Sequence, residues 1–73
     1  MQRLEKSFPA EDDLGHHYTV EVYQDYVSAS SGAVAGARSL ETSNGTRVQR
    51  LRRGEYQLKS SGRLLHSTHP DAE

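Results

Sequence analysis

Residues 41–67 read ETSNGTRVQRLRRGEYQLKSSGRLLHS, and three glycines in that run decide the fold. Gly45, Gly54 and Gly62 each close a short polar tripeptide: Ser43-Asn44-Gly45, Arg52-Arg53-Gly54 and Ser60-Ser61-Gly62. A three-residue hairpin loop is a type I turn followed by a residue in the left-handed region, the place where glycine is unstrained. Placing that loop at each tripeptide sets Leu40 opposite Val48, Val48 opposite Leu58, and Leu58 opposite Leu64. The three loops are positioned independently, yet they line up one apolar cross-strand row. A second row on the same face reads Arg38, Arg50, Tyr56, His66. A two-residue Asn-Gly turn at the first loop would instead set Leu40 against Gln49. A one-residue slip moves the whole apolar set to the wrong face, so the three-residue register is the better one. Two features resist it. Lys59 falls opposite Arg63, a like-charge pair, and Leu51 and Leu65 fall on the polar face.

Upstream, HHYTVEVYQDYV (16–27) alternates Tyr18, Val20 and Val22 with Thr19, Glu21 and Tyr23, a period of two over strand formers. The fold class expected is therefore all-β: a five-stranded antiparallel meander curled into a small SH3-like barrel, which uses Leu51 and Leu65 and hides sheet edges. SASSGAVAG (28–36) is small and glycine-bearing and reads as a flexible loop. SFPAEDDLG (7–15) reads as one helical turn, since Pro9 suits a first helical position and the acids suit a helix N-terminus. The organisation expected is an N-terminal segment at 1–15, partly disordered or holding that turn, one β domain at 16–67, and a disordered tail at 68–73.

At 73 residues, with 33% apolar composition and no cysteine, one small core is all the chain can build. A chain of this size gains from a partner, and self-association or a protein partner is the expectation. Residues 1–35 carry six acids and two bases, and residues 36–73 carry seven bases and four acids. The halves neutralise each other, and with pI ≈ 6.4 the chain lacks the overall basicity of most nucleic-acid binders. No apolar run approaches a membrane span or a signal-peptide core, so no membrane association and a cytoplasmic location are expected.

Chemistry-bearing residues are sparse. Arg47, Arg50, Arg52 and Arg53 crowd one hairpin, with Tyr56 beside Arg50. A basic ribbon with an aromatic is a weak version of a single-strand nucleic-acid site, and this is the alternative to protein binding. The plainer reading puts Arg52 and Arg53 at a solvated turn tip, Arg47 against Glu41, and Arg50 stacked on Tyr56. Tyrosine is a frequent interface anchor. The candidate partner-binding residues are Tyr23, Tyr26, Arg50, Arg52, Arg53 and Tyr56. His16, His17, His66 and His69 are weak candidates for a metal, because the usual zinc spacings are absent. There is no strand–turn–helix elbow and no G-x-S-x-G, and the acids Glu11, Asp12 and Asp13 do not fit the spacing of an EF-hand loop, so no catalytic residue and no cofactor is expected. Asn44-Gly45-Thr46 matches a glycosylation sequon and reads as turn chemistry.

The motifs TSNGTRVQRL, GEYQL, GRLLHS and HPDAE, after a Tyr/Val-rich strand, resemble a type of short bacterial protein built from glycine-punctuated hairpins with an acidic, proline-containing tail. The resemblance covers about three-quarters of the chain and departs from it at 28–36. Those proteins have no assigned activity, so it implies a small β protein and no site residues.

Overall fold

In the computed structural model, which describes residues 2–29 and 32–73, the chain forms six strands and no helix. These are β1 (Gln2–Asp12), β2 (His17–Ala29), β3 (Gly32–Thr42), β4 (Arg47–Arg52), β5 (Glu55–Leu58) and β6 (Leu64–His66). Each pairs antiparallel with the next, and β6 returns to β1, closing a small barrel. The all-β barrel expected from the sequence is the one found, with one strand more.

The extra strand is β1. Residues 7–12 do not turn into a helix; they run extended beside β2, Phe8 opposite Val20 and Ala10 opposite Tyr18. Phe8, Ala10 and Asp12 alternate inward while Ser7 and Pro9 stay exposed, so period two outweighs the helix-start signals. Pro9 is tolerated because its backbone points away from β2: its carbonyl accepts a hydrogen bond from Ser67 Oγ at 2.6 Å. Gly15 still ends the segment, at φ 81, in a three-residue loop closed by Asp12 N–H to the His16 carbonyl.

Segment 28–36, expected as a loop, continues the β2–β3 hairpin in its described part. Val27 pairs with Val34, Ser28 with Ala33 and Ala29 with Gly32. Ser30 and Ser31 lie outside the described residues. A 13-residue strand spans roughly 43 Å, and the molecule is correspondingly elongated, at 48 × 26 × 20 Å. β1, β2 and the first part of β3 thus form an arm that extends the barrel wall.

In the meander, Leu40 faces Val48 and Glu41 faces Arg47 across a loop in which Gly45 has φ 90. Asn44 Oδ1 accepts from Thr42 Oγ1 and from the Thr46 N–H, the turn chemistry read from the sequence. Val48 faces Leu58 and Arg50 faces Tyr56. Leu51 is an extra residue on β4, a bulge between Arg50 and Arg52, and it stays exposed. The second loop therefore holds two residues, Arg53 and Gly54, not the expected three, because Arg52 pairs with Glu55; the bulge restores the expected register at Arg50 and Tyr56. The third loop differs further. Leu58 N–H donates to the Arg63 carbonyl at 2.8 Å, so the loop holds four residues and the register moves by one. Tyr56 then faces Leu65, and Gln57 faces Leu64. Leu65 is buried (1% exposed) and Leu64 is half exposed (50%), the reverse of the expected row. The slip also removes the Lys59–Arg63 like-charge pair.

Phe8, Val20, Val22, Val48, Tyr56, Leu58 and Leu65 fill the barrel, flanked by Tyr18 and Leu40. Phe8 and Tyr56 lie with ring centroids 5.3 Å apart in a tilted contact, a favoured aromatic geometry. Residues 68–73, expected as a disordered tail, fold back on the barrel and bury Ala72 in the core. Ser67 starts this return: its N–H donates to the Gly54 carbonyl, and its hydroxyl accepts the His69 N–H.

Candidate functional site

Strand alternation continues past the apolar core into a ring of polar side chains at one end of the barrel. Lys6 follows Phe8 inward on β1, Gln24 follows Val22 on β2, Arg38 follows Leu40 on β3, and Arg50 follows Val48 on β4. Gln24 is buried and donates to the Gly36 carbonyl at 2.7 Å. The tail supplies the acid that this ring lacks. Glu73 Oε1 lies 2.9 Å from Lys6 Nζ, and Oε2 lies 3.1 Å from Arg38 Nε. The Glu73 main-chain oxygen accepts from Tyr56 Oη at 2.7 Å and from Arg50 Nε at 3.2 Å. The Lys6 hydrogen bond, with Arg38 and Arg50 nearby, holds the Glu73 carboxyl below the usual glutamate range.

These groups border an open cleft of about 780 Å³. Six cations line it: Lys6, Arg38, Arg47, Arg50, Arg53 and Lys59, against the single carboxylate of Glu73. Among the described residues no carboxylate lies within 4 Å of Arg47, Arg53 or Lys59. Arg47 and Glu41 are cross-strand neighbours without such a pair.

The candidate partner-binding residues do not form one patch. Arg50 and Arg53 line the cleft, whereas Arg52 pairs with Glu55 at 2.6 Å. That contact holds the Glu55 carboxyl below its ordinary value. Tyr56 is wholly buried, 0% exposed, and Arg50 reaches the tail instead of stacking on its ring. Tyr56 is therefore a core residue and offers no stacking face. Alternation with Leu58 explains this, because both positions point inward on β5. Tyr23 and Tyr26 lie half-buried on β2. Tyr23 donates to Glu21 at 3.0 Å and Tyr26 to Glu5 at 2.6 Å, and both hydroxyls hold their protons more tightly because of those bonds. Arg3 sits 5.7 Å from the centre of the Tyr26 ring.

The histidines meet in part. His17, His66 and His69 line a second cleft together with Glu11, while His16 turns to Asp12 at the far side of the hairpin. His66 Nε2 is 3.6 Å from Glu11 Oε1, and His69 Nδ1 accepts the Asp71 N–H. Among the described residues no three His, Asp or Glu side chains converge to hold a metal ion.

Two features lay outside the reach of sequence reasoning. The first is the Glu73 plug, whose partners come from four strands. The second is Asp12, buried at the opposite end of the barrel and surrounded by donors. Its Oδ1 accepts the N–H groups of Leu14 and His16, and its Oδ2 accepts from Arg63, from Tyr18 and at His16 Nδ1. Burial alone would favour the neutral acid. The Arg63 hydrogen bond and the His16 and Leu14 donors outweigh it and hold the carboxyl well below the usual aspartate range. Both Asp12 carboxylate oxygens are thus satisfied, and the cluster closes a barrel end.

Among the described residues no helix is long and apolar enough to cross a membrane. No protein-family model, no curated protein and no solved structure matches the chain. The likeness to short bacterial proteins thus rests on its own motifs.

Proposed function

We propose that the chain is a small non-catalytic protein-interaction module that self-associates through the open edge of β3. One observation carries this reading. Among the described residues β4 pairs with β3 only at Leu40 and Glu41, so residues 32–39 have β2 on one side and no described strand on the other. Proteins normally guard such an edge with charge or proline. The free edge of β1 is guarded in that way, by Arg3, Glu5, Lys6 and Pro9. From Gly32 to Ala37 the β3 edge carries neither charge nor proline, and Val34 is half exposed there. An extended edge of this kind adds a strand from a partner by backbone hydrogen bonding. A second copy offers the same neutral edge, antiparallel to the first about a two-fold axis. A cytoplasmic setting is part of the same proposal, and fractionation of cells expressing a tagged chain checks it.

Sedimentation velocity over a wide concentration range tests the association. The wild-type mass rises toward that of a dimer, and Val34→Lys, which places a charge on the edge, remains monomeric. A wild-type chain that stays monomeric at the highest concentration excludes the reading.

Arg47, Arg53 and Lys59, without a carboxylate partner among the described residues, favour a second reading, single-stranded nucleic-acid binding along the cleft. It lacks a stacking ring, because Tyr56 is buried and no aromatic lines the cleft.

A further inference from the structure

The basic cleft has a property that the edge of β3 does not share: part of it already holds a ligand-like group. Ala72 is buried beneath the rim, the Glu73 carboxylate bridges Lys6 and Arg38, and the Glu73 main-chain oxygen takes two donors. This is recognition of an acidic peptide by a basic wall, made within one chain. Only one end of the wall is used. Arg47, Arg53 and Lys59 continue it on β4 and the adjoining loops, close enough to line the same cleft and without a counter-charge among the described residues. Like charges gathered in one concavity repel each other and focus a positive potential, which an incoming anion relieves.

We propose that this cleft binds an acidic peptide segment, with the chain's own Ala72 and Glu73 as built-in occupants of one end. The proposal deepens the interaction reading by naming the chemistry of a partner, but it does not depend on the β3 edge. A peptide fits better than a nucleic acid on three grounds. The group already seated is a peptide carboxylate with its backbone oxygen, no ring is present to stack a base, and the net charge of the chain is −1. The incoming segment lays carboxylates against Arg47, Arg53 and Lys59. Where it extends to Lys6 and Arg38 it displaces Glu73, so the tail acts as an internal competitor.

Fluorescence anisotropy with a labelled hexaglutamate peptide at low salt tests this on the full chain. The wild-type chain binds, and the triple variant Arg47→Ser, Arg53→Ser, Lys59→Ser loses about tenfold in affinity, the sum of three exposed ion pairs. All three positions are exposed, and an unchanged melting temperature verifies the fold. Glu73→Gln gains several-fold, because Lys6 and Arg38 are released to the peptide. Equal binding by wild type and triple variant overturns the site, as does tighter binding of a single-stranded oligonucleotide of equal charge. Val34→Lys, which abolishes self-association, leaves peptide binding intact, so failure of one proposal is seen separately from failure of the other.

Discussion

Arg63 Nη1 donates to Asp12 Oδ2 at 2.8 Å, joining the loop of the first hairpin to that of the last across 51 residues of sequence. The bond lies beside the narrow seam where β6 meets β1 through only two residue pairs, Glu11 with His66 and Asp12 with Leu65. A barrel closed by so short a ladder depends on side chains at its seam, and Asp12 satisfies five donors there.

The charge on Asp12 makes the seam acid-sensitive. Its folded-state carboxyl titrates below its unfolded value, so its stabilising contribution is complete above the ordinary aspartate pKa of about 3.9. The contribution shrinks as the pH falls below that value toward the folded-state pKa. Asp12→Asn is therefore less stable than wild type at neutral pH, and the gap narrows as the pH is lowered from 5 to 2. Urea melts at each pH measure it. A gap that stays constant over that range would show that the ionised carboxylate is not what holds the seam. Arg63→Ala combined with Asp12→Asn should cost less than the two single changes added together, the sign of direct coupling.

Leu64 and Leu65 are neighbours with opposite fates, and their alanine variants report the register of the last hairpin. Leu65→Ala costs about 2–5 kcal/mol, the range for a buried leucine. Leu64→Ala stays within about 0.5 kcal/mol, as for an ordinary surface change. Chemical denaturation separates the two, and a reversed order would restore the three-residue loop at 60–62.

Gly54 is the tightest of the turn glycines. A Cβ there would lie 2.9 Å from the Ser67 carbonyl, and the residue has φ 86. Gly15 has a similar φ of 81 and open space around it. Gly15→Ala carries only the left-handed backbone cost of roughly 1–2 kcal/mol. Gly54→Ala carries that cost and the clash, and it loosens the Gly54–Ser67 hydrogen bond that starts the tail's return. Thermal melts should rank Gly54→Ala clearly below Gly15→Ala; equal values would mean the tail is not anchored at Ser67.

By itself the sequence determined what depends on neighbours within a hairpin. Period-two alternation and a glycine after two polar residues are local signals, and they sufficed for β2, for the Leu40–Val48–Leu58 row and for left-handed φ at Gly45, Gly54 and Gly62. Local signals misplaced what other segments decide. Pro9 and the acids around it suit a helix start as well as an edge strand, and only the presence of β2 beside Phe8 and Ala10 settled the matter. Alanines and glycines at 32–36 carry no apolar pattern, yet the hairpin propagates through them because β2 provides hydrogen-bonding partners. The choice between Leu64 and Leu65 came from barrel closure, since Leu65 completes a core with Phe8 and Tyr56 that the isolated meander lacks. The arginines show the same division. Their turn was legible, but the cleft exists only because β1, β3 and β4 bring Lys6, Arg38 and Arg50 around Glu73. Side-chain convergence across a barrel follows from which strand edges meet, and that is a property of the closed sheet, which no window of the sequence contains.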